Sequence, residues 1–184
     1  KRFLDEGEDF PLYTYVKIGK ILLTQPRTWA CQIMDQKCIP LLQVFYRNAV
    51  PVTADTIEEL ADKLGLDQET LVKTVRDYNN AVQDGPFDPS KLDGKHTEGI
   101  EPAKTNWALK IDKPPYIGYP VVTGITFTFG GVQITRYGQV MDTESNAIPG
   151  LYATGELVGS FYHNYPGATG LIKGAVFGRL SGAH

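Results

Sequence analysis

The apolar positions of this chain change period along its length. From residue 57, Ile57, Leu60 and Leu64 mark one helical face, and after Gly65 a second face runs through Leu71, Val75, Tyr78 and Val82. Thr56 and Glu59 fit a capping box, in which the hydroxyl bonds the amide three residues on and the carboxylate reaches back. Gly65 suits a helix C-terminus and Asp67 the N-cap of the next helix. A helical hairpin is predicted here, its second helix ending at Gly85-Pro86. Tyr15, Ile18 and Leu22 predict another helix over residues 13–24, stopping before Pro26. Residues 29–34 (WACQIM) and 41–46 (LLQVFY) are aromatic and partly β-branched, which predicts strands, and residues 2–7 (RFLDEG) predict a short strand and a turn.

Residues 85–120 are rich in proline and loop formers, and 113–120 is expected to be a hinge to a second domain. Residues 121–129 (VVTGITFTF) predict a strand broken by Gly130-Gly131. Residues 132–135 and 139–141 flank a turn and predict a hairpin. Residues 150–184 then predict a strand at 151–154, a turn at Gly155-Glu156, an aromatic loop at 161–165 and a bend at Pro166-Gly167. A final helix follows, with glycines at 170, 174, 178 and 182. Those glycines imply close packing on a sheet or a helix. A membrane helix is excluded by Lys173 and Arg179 in so short a segment.

Composition narrows the classes of function. The net charge of -3 leaves no basic footprint for nucleic acid. No apolar run reaches the roughly 20 residues that span a bilayer. No signal-peptide pattern opens the chain, so a cytoplasmic protein is expected. Cys31 and Cys38 lack a nearby histidine cluster and are expected to be buried thiols. There is no GxGxxG, Walker loop, zinc spacing or GxSxG elbow. The start at Lys1, without an initiator Met, suggests the middle-to-end piece of a longer protein.

The candidate chemistry lies in the last third. Glu156 follows a predicted strand, where a carboxylate accepts hydrogen bonds from ribose or ribityl hydroxyls, or is simply a solvated turn residue. The helix starting at 168–171 offers unpaired amides at the positive end of its dipole, and Gly170 allows a ring to approach. His163 and Tyr165 supply an imidazole and a phenol for proton transfer or for holding a substrate oxygen. Arg2, Arg27, Arg47 and Arg136 are candidate carboxylate binders, although each alone reads first as a surface or structural arginine.

At these residues the chain resembles a known family. IPGLYATGE, GGVQIT upstream and NYPGATGLIKGAVFGRLSG downstream look like the C-terminal part of the FAD-dependent fumarate reductase, succinate dehydrogenase and 3-ketosteroid dehydrogenase superfamily. RFLDEG resembles the entry to its capping domain, and ADTIEELADKLGLDQETLVKTVRDYN the cap's helical hairpin. ITFTFGGV with FYHNYPGATGL is most similar to the tricarballylate dehydrogenase branch. The resemblance implies an α+β fold: a capping (substrate) domain over residues 1–117, then the strands and last helix of a Rossmann-like FAD domain over 118–184.

It also implies FAD, with Glu156, Thr169, Gly170 and Leu171 on the cofactor side. Tyr165, Ala168 and Phe127 would lie on the substrate side, and Tyr165 and His163 would be the catalytic candidates. Fumarate reductases place a histidine where Phe127 stands and an arginine where Tyr165 stands, whereas ketosteroid dehydrogenases have a Tyr-Pro-Gly as here. The implied reaction desaturates a C–C bond beside a carboxyl or carbonyl, on a small polycarboxylate such as tricarballylate or on a ketone. Electrons would pass to an acceptor protein or quinone pathway. The alternatives are a ketosteroid-type enzyme, a flavoprotein of precorrin-3B synthesis, or a binding module without catalysis. The dinucleotide-binding half would lie upstream, so the piece alone is expected to bind FAD poorly and to self-associate.

Overall fold

A computed structural model describes residues 1–125, 128–161 and 167–184, with Phe45 and Arg47 described by their backbone alone. The chain divides into two units, Lys1–Thr123 and Gly124–His184. In order, its elements are α1 (Pro11–Leu23), β1 (Trp29–Asp35), β2 (Val52–Ala54), α2 (Ile57–Leu64), α3 (Gln68–Ala81), β3 (Tyr116–Val122), β4 (Gln139–Met141), β5 (Ala147–Tyr152) and α4 (Thr169–Ala183). The architecture is mixed, α+β.

The helical hairpin forms as its local signals direct. Thr56 Oγ1 accepts from the Glu59 amide, and Glu59 Oε2 accepts from the Asp55 amide. Gly65 closes α2 in the left-handed conformation at φ 65°. Asp67 Oδ1 caps α3 by accepting from the Thr70 amide. The helices bury Leu60, Ala61, Leu71 and Val75, with Ile33, Ile57, Leu66 and Ile111 packed around them. The second helix ends at Ala81, short of Gly85-Pro86, because the chain finds other backbone partners there. The Glu98 amide donates to Ala81 O, and Val82 bridges Thr97.

β3 is the centre of a three-stranded antiparallel sheet of order β1-β3-β2. Residues 113–120 are therefore no hinge. The break between the units falls after Thr123, beyond the expected boundary at 117, because β3 pairs with two strands of the first unit. Gly118 in β3 lets α2 approach: a Cβ there would lie 2.6 Å from Leu64 Cδ1. Of the predicted strand over 121–129, only Val121 and Val122 lie in β3, Val122 opposite Trp29, while 126 and 127 lie outside the described residues. Before Trp29 the chain turns away, with Arg27 at φ 60° and Thr28 at φ 54°, so no ladder partner remains.

Two other expectations are corrected. Residues 41–46 form no strand. The segment lies in 3-10 turns, Gln36–Leu41 with Pro40 inside and Val44–Asn48. Residues 2–7 form no strand either, because side chains bind their backbone. Arg2 donates to Glu6, Leu4 O and Pro102 O, while Asp5 Oδ1 accepts from the amides of Gly7 and Thr105.

The second unit is built on the β4–β5 hairpin, with an antiparallel bridge between Ile134 and Val140 and a parallel one between Val132 and Val158. The expected turn at 136–138 is present, closed by the Gly138 amide on Thr135 O. Val140, Ala153 and Val158 form its core, with Val132, Ile134 and Ile148 around them.

A buried ionic knot fastens the first unit. Asp35, 1% exposed, accepts from the amides of Lys37, Asp112 and Lys113 and pairs with Lys37 Nζ at 2.8 Å. Burial opposes its ionisation, but the Lys37 ammonium and the three amides outweigh burial and hold the carboxyl below the ordinary aspartate value. A depressed folded-state pKa contributes stability above the unfolded value of about 3.9, and that stability is lost as pH falls through the folded value. Asp35→Ala is expected to cost about 3 kcal/mol in urea unfolding at pH 7. The gap between wild type and Asp35→Ala should narrow only below about pH 4.

Candidate functional site

The site is assembled wholly within Gly124–His184, where α4 meets the end of β5. Thr154 Oγ1 donates to Lys173 O at 3.1 Å and to Gly174 O at 3.2 Å. A Cβ on Gly155 or on Gly174 would lie 4.0 Å from the other's Cα. At the far end of the helix, Ser181 Oγ donates to Tyr137 O at 3.2 Å. The small residues of α4 thus meet backbone, as the glycine spacing implied, at Gly174. A Cβ at Gly178 or Gly182 would meet nothing within 4 Å.

This packing presents the start of α4. Its N-cap, Ala168, sits at φ 65° and gives no side-chain cap. A left-handed alanine is strained by about 1–2 kcal/mol. The first amides of the helix have no intrahelical partners, and the dipole makes this end attractive to negative charge. Thr169 Oγ1 is buried with no hydrogen-bond partner among the described residues. Leu171 is 82% exposed.

Glu156 follows in a 3-10 turn, Gly155–Leu157, directly after β5. One oxygen, Oε1, accepts from the Thr128 amide at 3.2 Å. The other remains available to a hydroxyl, and the side chain is exposed. Thr128 is a contributor that the sequence pattern did not single out. The loop behind Glu156 is held by crossed backbones. Gly131 stands at φ 138°, and a Cβ there would lie 2.3 Å from Leu157 O. The Val132 amide donates to Leu157 O and the Gly130 amide to Phe161 O.

Glu156, Ala168, Thr169, Gly170 and Leu171 therefore all lie in this unit, at the end of β5 and the start of α4. Phe127, His163 and Tyr165 lie outside the described residues. Of the four candidate arginines, Arg136 alone belongs to this unit. Arg2 is spent on Glu6, Leu4 and Pro102 and lies 5.3 Å over the Tyr78 ring, whose phenol burial pushes up. Arg136 lies 4.7 Å over the Tyr137 ring. Arg27 is exposed in the turn before β1. Cys31 and Cys38 are half-buried free thiols, both pushed up in pKa by burial, and no metal cluster occurs among the described residues. An open groove of about 540 Å³ beside α2 and α3, lined by Asp55, Glu58, Arg76, Asn79 and Asp112, contains none of the predicted site residues. No helix among the described residues is long and apolar enough to cross a membrane.

Comparison with known proteins points to one cofactor. The FAD binding domain family matches residues 5–171. A probable fumarate reductase of Shewanella frigidimarina is 31% identical over 98% of the chain, which spans 29% of that relative. The open conformation of a flavocytochrome c3 fumarate reductase superposes with a TM-score of 0.74 at 30% identity, over 99% of this chain and 30% of that one. A 3-ketosteroid Δ1-dehydrogenase from Sterolibacterium denitrificans superposes at 0.68 with 25% identity, over 100% and 36%. The chain thus spans about a third of the length of these relatives.

The residues present fit a flavin. The buried Thr169 hydroxyl lacks a partner, the start of α4 is uncapped, and Glu156 has an oxygen to offer. Thr169→Val is expected to raise the stability of the flavin-free protein by about 1 kcal/mol, since it removes an unsatisfied buried polar atom. The same change should weaken FAD binding about tenfold, measured by fluorescence titration of the full protein. Unchanged FAD affinity would mean that the hydroxyl faces no ligand.

Proposed function

The chain belongs to the FAD binding domain family, and from that premise we propose that it is part of an FAD-dependent oxidoreductase that desaturates a C–C bond next to a carboxyl or carbonyl group. The observation that carries the cofactor half of this reading is the orphaned Thr169 hydroxyl at the uncapped start of α4. Bound FAD supplies the hydride acceptor. Around it this chain contributes positioning. Glu156 would receive a ribose or ribityl hydroxyl, and the amides of Gly170 and Leu171 would be offered to the ring, where they would favour negative charge. Lys1–Thr123 takes the part of the capping, substrate domain. Tyr165 holds a substrate oxygen, with His163 beside it in sequence as a proton carrier and Phe127 and Ala168 on the substrate side.

A small polycarboxylate of the tricarballylate type is the first substrate, with electrons passed on to a separate acceptor protein or a quinone pathway. A second reading, a ketone substrate of the 3-ketosteroid type, has its own support. Arg2 is spent on Glu6, Leu4 O and Pro102 O, and Tyr165-Pro166-Gly167 is the tyrosine arrangement of the ketosteroid branch.

Anaerobic mixing of the FAD-loaded protein with each compound separates the two. Tricarballylate should bleach the flavin absorbance and a 3-ketosteroid should leave it unchanged. The reverse result would assign the ketone reading, and a protein that carries no flavin would end both.

A further inference from the structure

Two short arms of the second unit, residues 128–132 and 156–161, are laced together by main-chain hydrogen bonds. The Gly130 amide donates to Phe161 O at 3.2 Å and the Val132 amide to Leu157 O at 3.0 Å. The Gly159 amide returns a bond to Val132 O at 3.1 Å. Where Gly131 passes Gly159, a Cβ on either would strike the other arm's backbone, so main chain alone sets the path of both. The Thr128 amide, at the head of the first arm, goes to a side chain instead. It donates to Glu156 Oε1 at 3.2 Å. Among the described residues it is the only hydrogen-bond partner of the Glu156 carboxylate.

A bond between one exposed amide and one exposed carboxylate adds little to stability, because water offers both groups similar partners. What it changes is direction. A free glutamate side chain spreads over many rotamers, and ordering it costs free energy. With Oε1 held by a donor that the crossed arms fix in place, the carboxylate keeps one orientation and leaves Oε2 to a ligand. Resting on the cofactor reading above, we propose that Thr128 is a positioning residue for Glu156, acting through its main-chain N–H. It holds the carboxylate ready for a cofactor hydroxyl, so FAD need not order the side chain as it binds. Thr128 acts only through Glu156. Any residue except proline could supply this donor, which is why the residue type carries no signal of the role.

The test is a double-mutant cycle in which the flavin-free full-length protein is titrated with FAD. Thr128→Pro removes the donor and Thr128→Ala keeps it. Thr128→Pro is expected to weaken FAD binding about fivefold, the loss that follows when one long side chain must be ordered on binding. Thr128→Ala should bind as wild type does. Glu156→Ala should weaken binding about thirtyfold, and Thr128→Pro should add nothing in that background. Wild-type affinity in Thr128→Pro, or the same loss from Thr128→Pro with and without Glu156, would overturn the inference. Hydrogen exchange decides the matter even if Thr128→Pro fails to fold. FAD should slow exchange of the Thr128 amide severalfold in wild type and leave it unchanged in Glu156→Ala. Equal exchange in wild type with and without FAD would overturn the inference. Wild-type protein that binds no FAD, or Glu156→Ala that binds it undiminished, would instead overturn the cofactor reading on which the inference rests.

Discussion

The contact between α4 and the end of β5 is the constraint on which the candidate site depends. With glycine at 155 and 174, the backbone of the helix and that of the turn before Glu156 come close enough for Thr154 to bond two helix carbonyls. A Cβ at either glycine would stand in ordinary contact with the other's Cα at 4.0 Å, so the two backbones already lie one methyl group apart. At Gly155 the φ of 72° adds a second constraint, since the left-handed region strains other residues. Ser181 on Tyr137 O fixes the other end, so the helix cannot pivot about its glycines.

The first unit uses a different device. Its long connection between α3 and β3 contains little regular structure, and acidic side chains collect the backbone donors that a strand or helix would have paired. Asp35 gathers three amides, Asp93 accepts from Lys95, Trp107 and Asp88, and Asp5 reaches Gly7 and Thr105. The sheet and the hairpin therefore stay joined across a stretch that composition alone marks as loop.

Legibility in the sequence followed the range of the interaction. The hairpin was readable because Thr56, Glu59, Gly65 and Asp67 act within one helical turn of their own positions. β3 was not, because its partners lie far away in sequence and the prolines at 114, 115 and 120 resemble breakers. The sequence could show Arg2 as charged but not that Pro102 would take it. In the second unit, the turn at Gly155-Glu156 and the helix that starts at Thr169 were legible through strand, turn and glycine. The burial of Lys173 was not, because a lysine in a short helix counts as evidence of solvent exposure.

The crossing of Gly131 and Gly159 has a consequence for how such a unit can diversify. Cβ atoms at these positions would lie 2.3 Å from Leu157 O and 2.5 Å from the Gly131 amide nitrogen, so main chain touches main chain with no side chain between. Nothing at the crossing can be enlarged or repacked by degrees. It acts as a fixed rivet, and any change that preserves the unit is displaced to side chains away from the crossing.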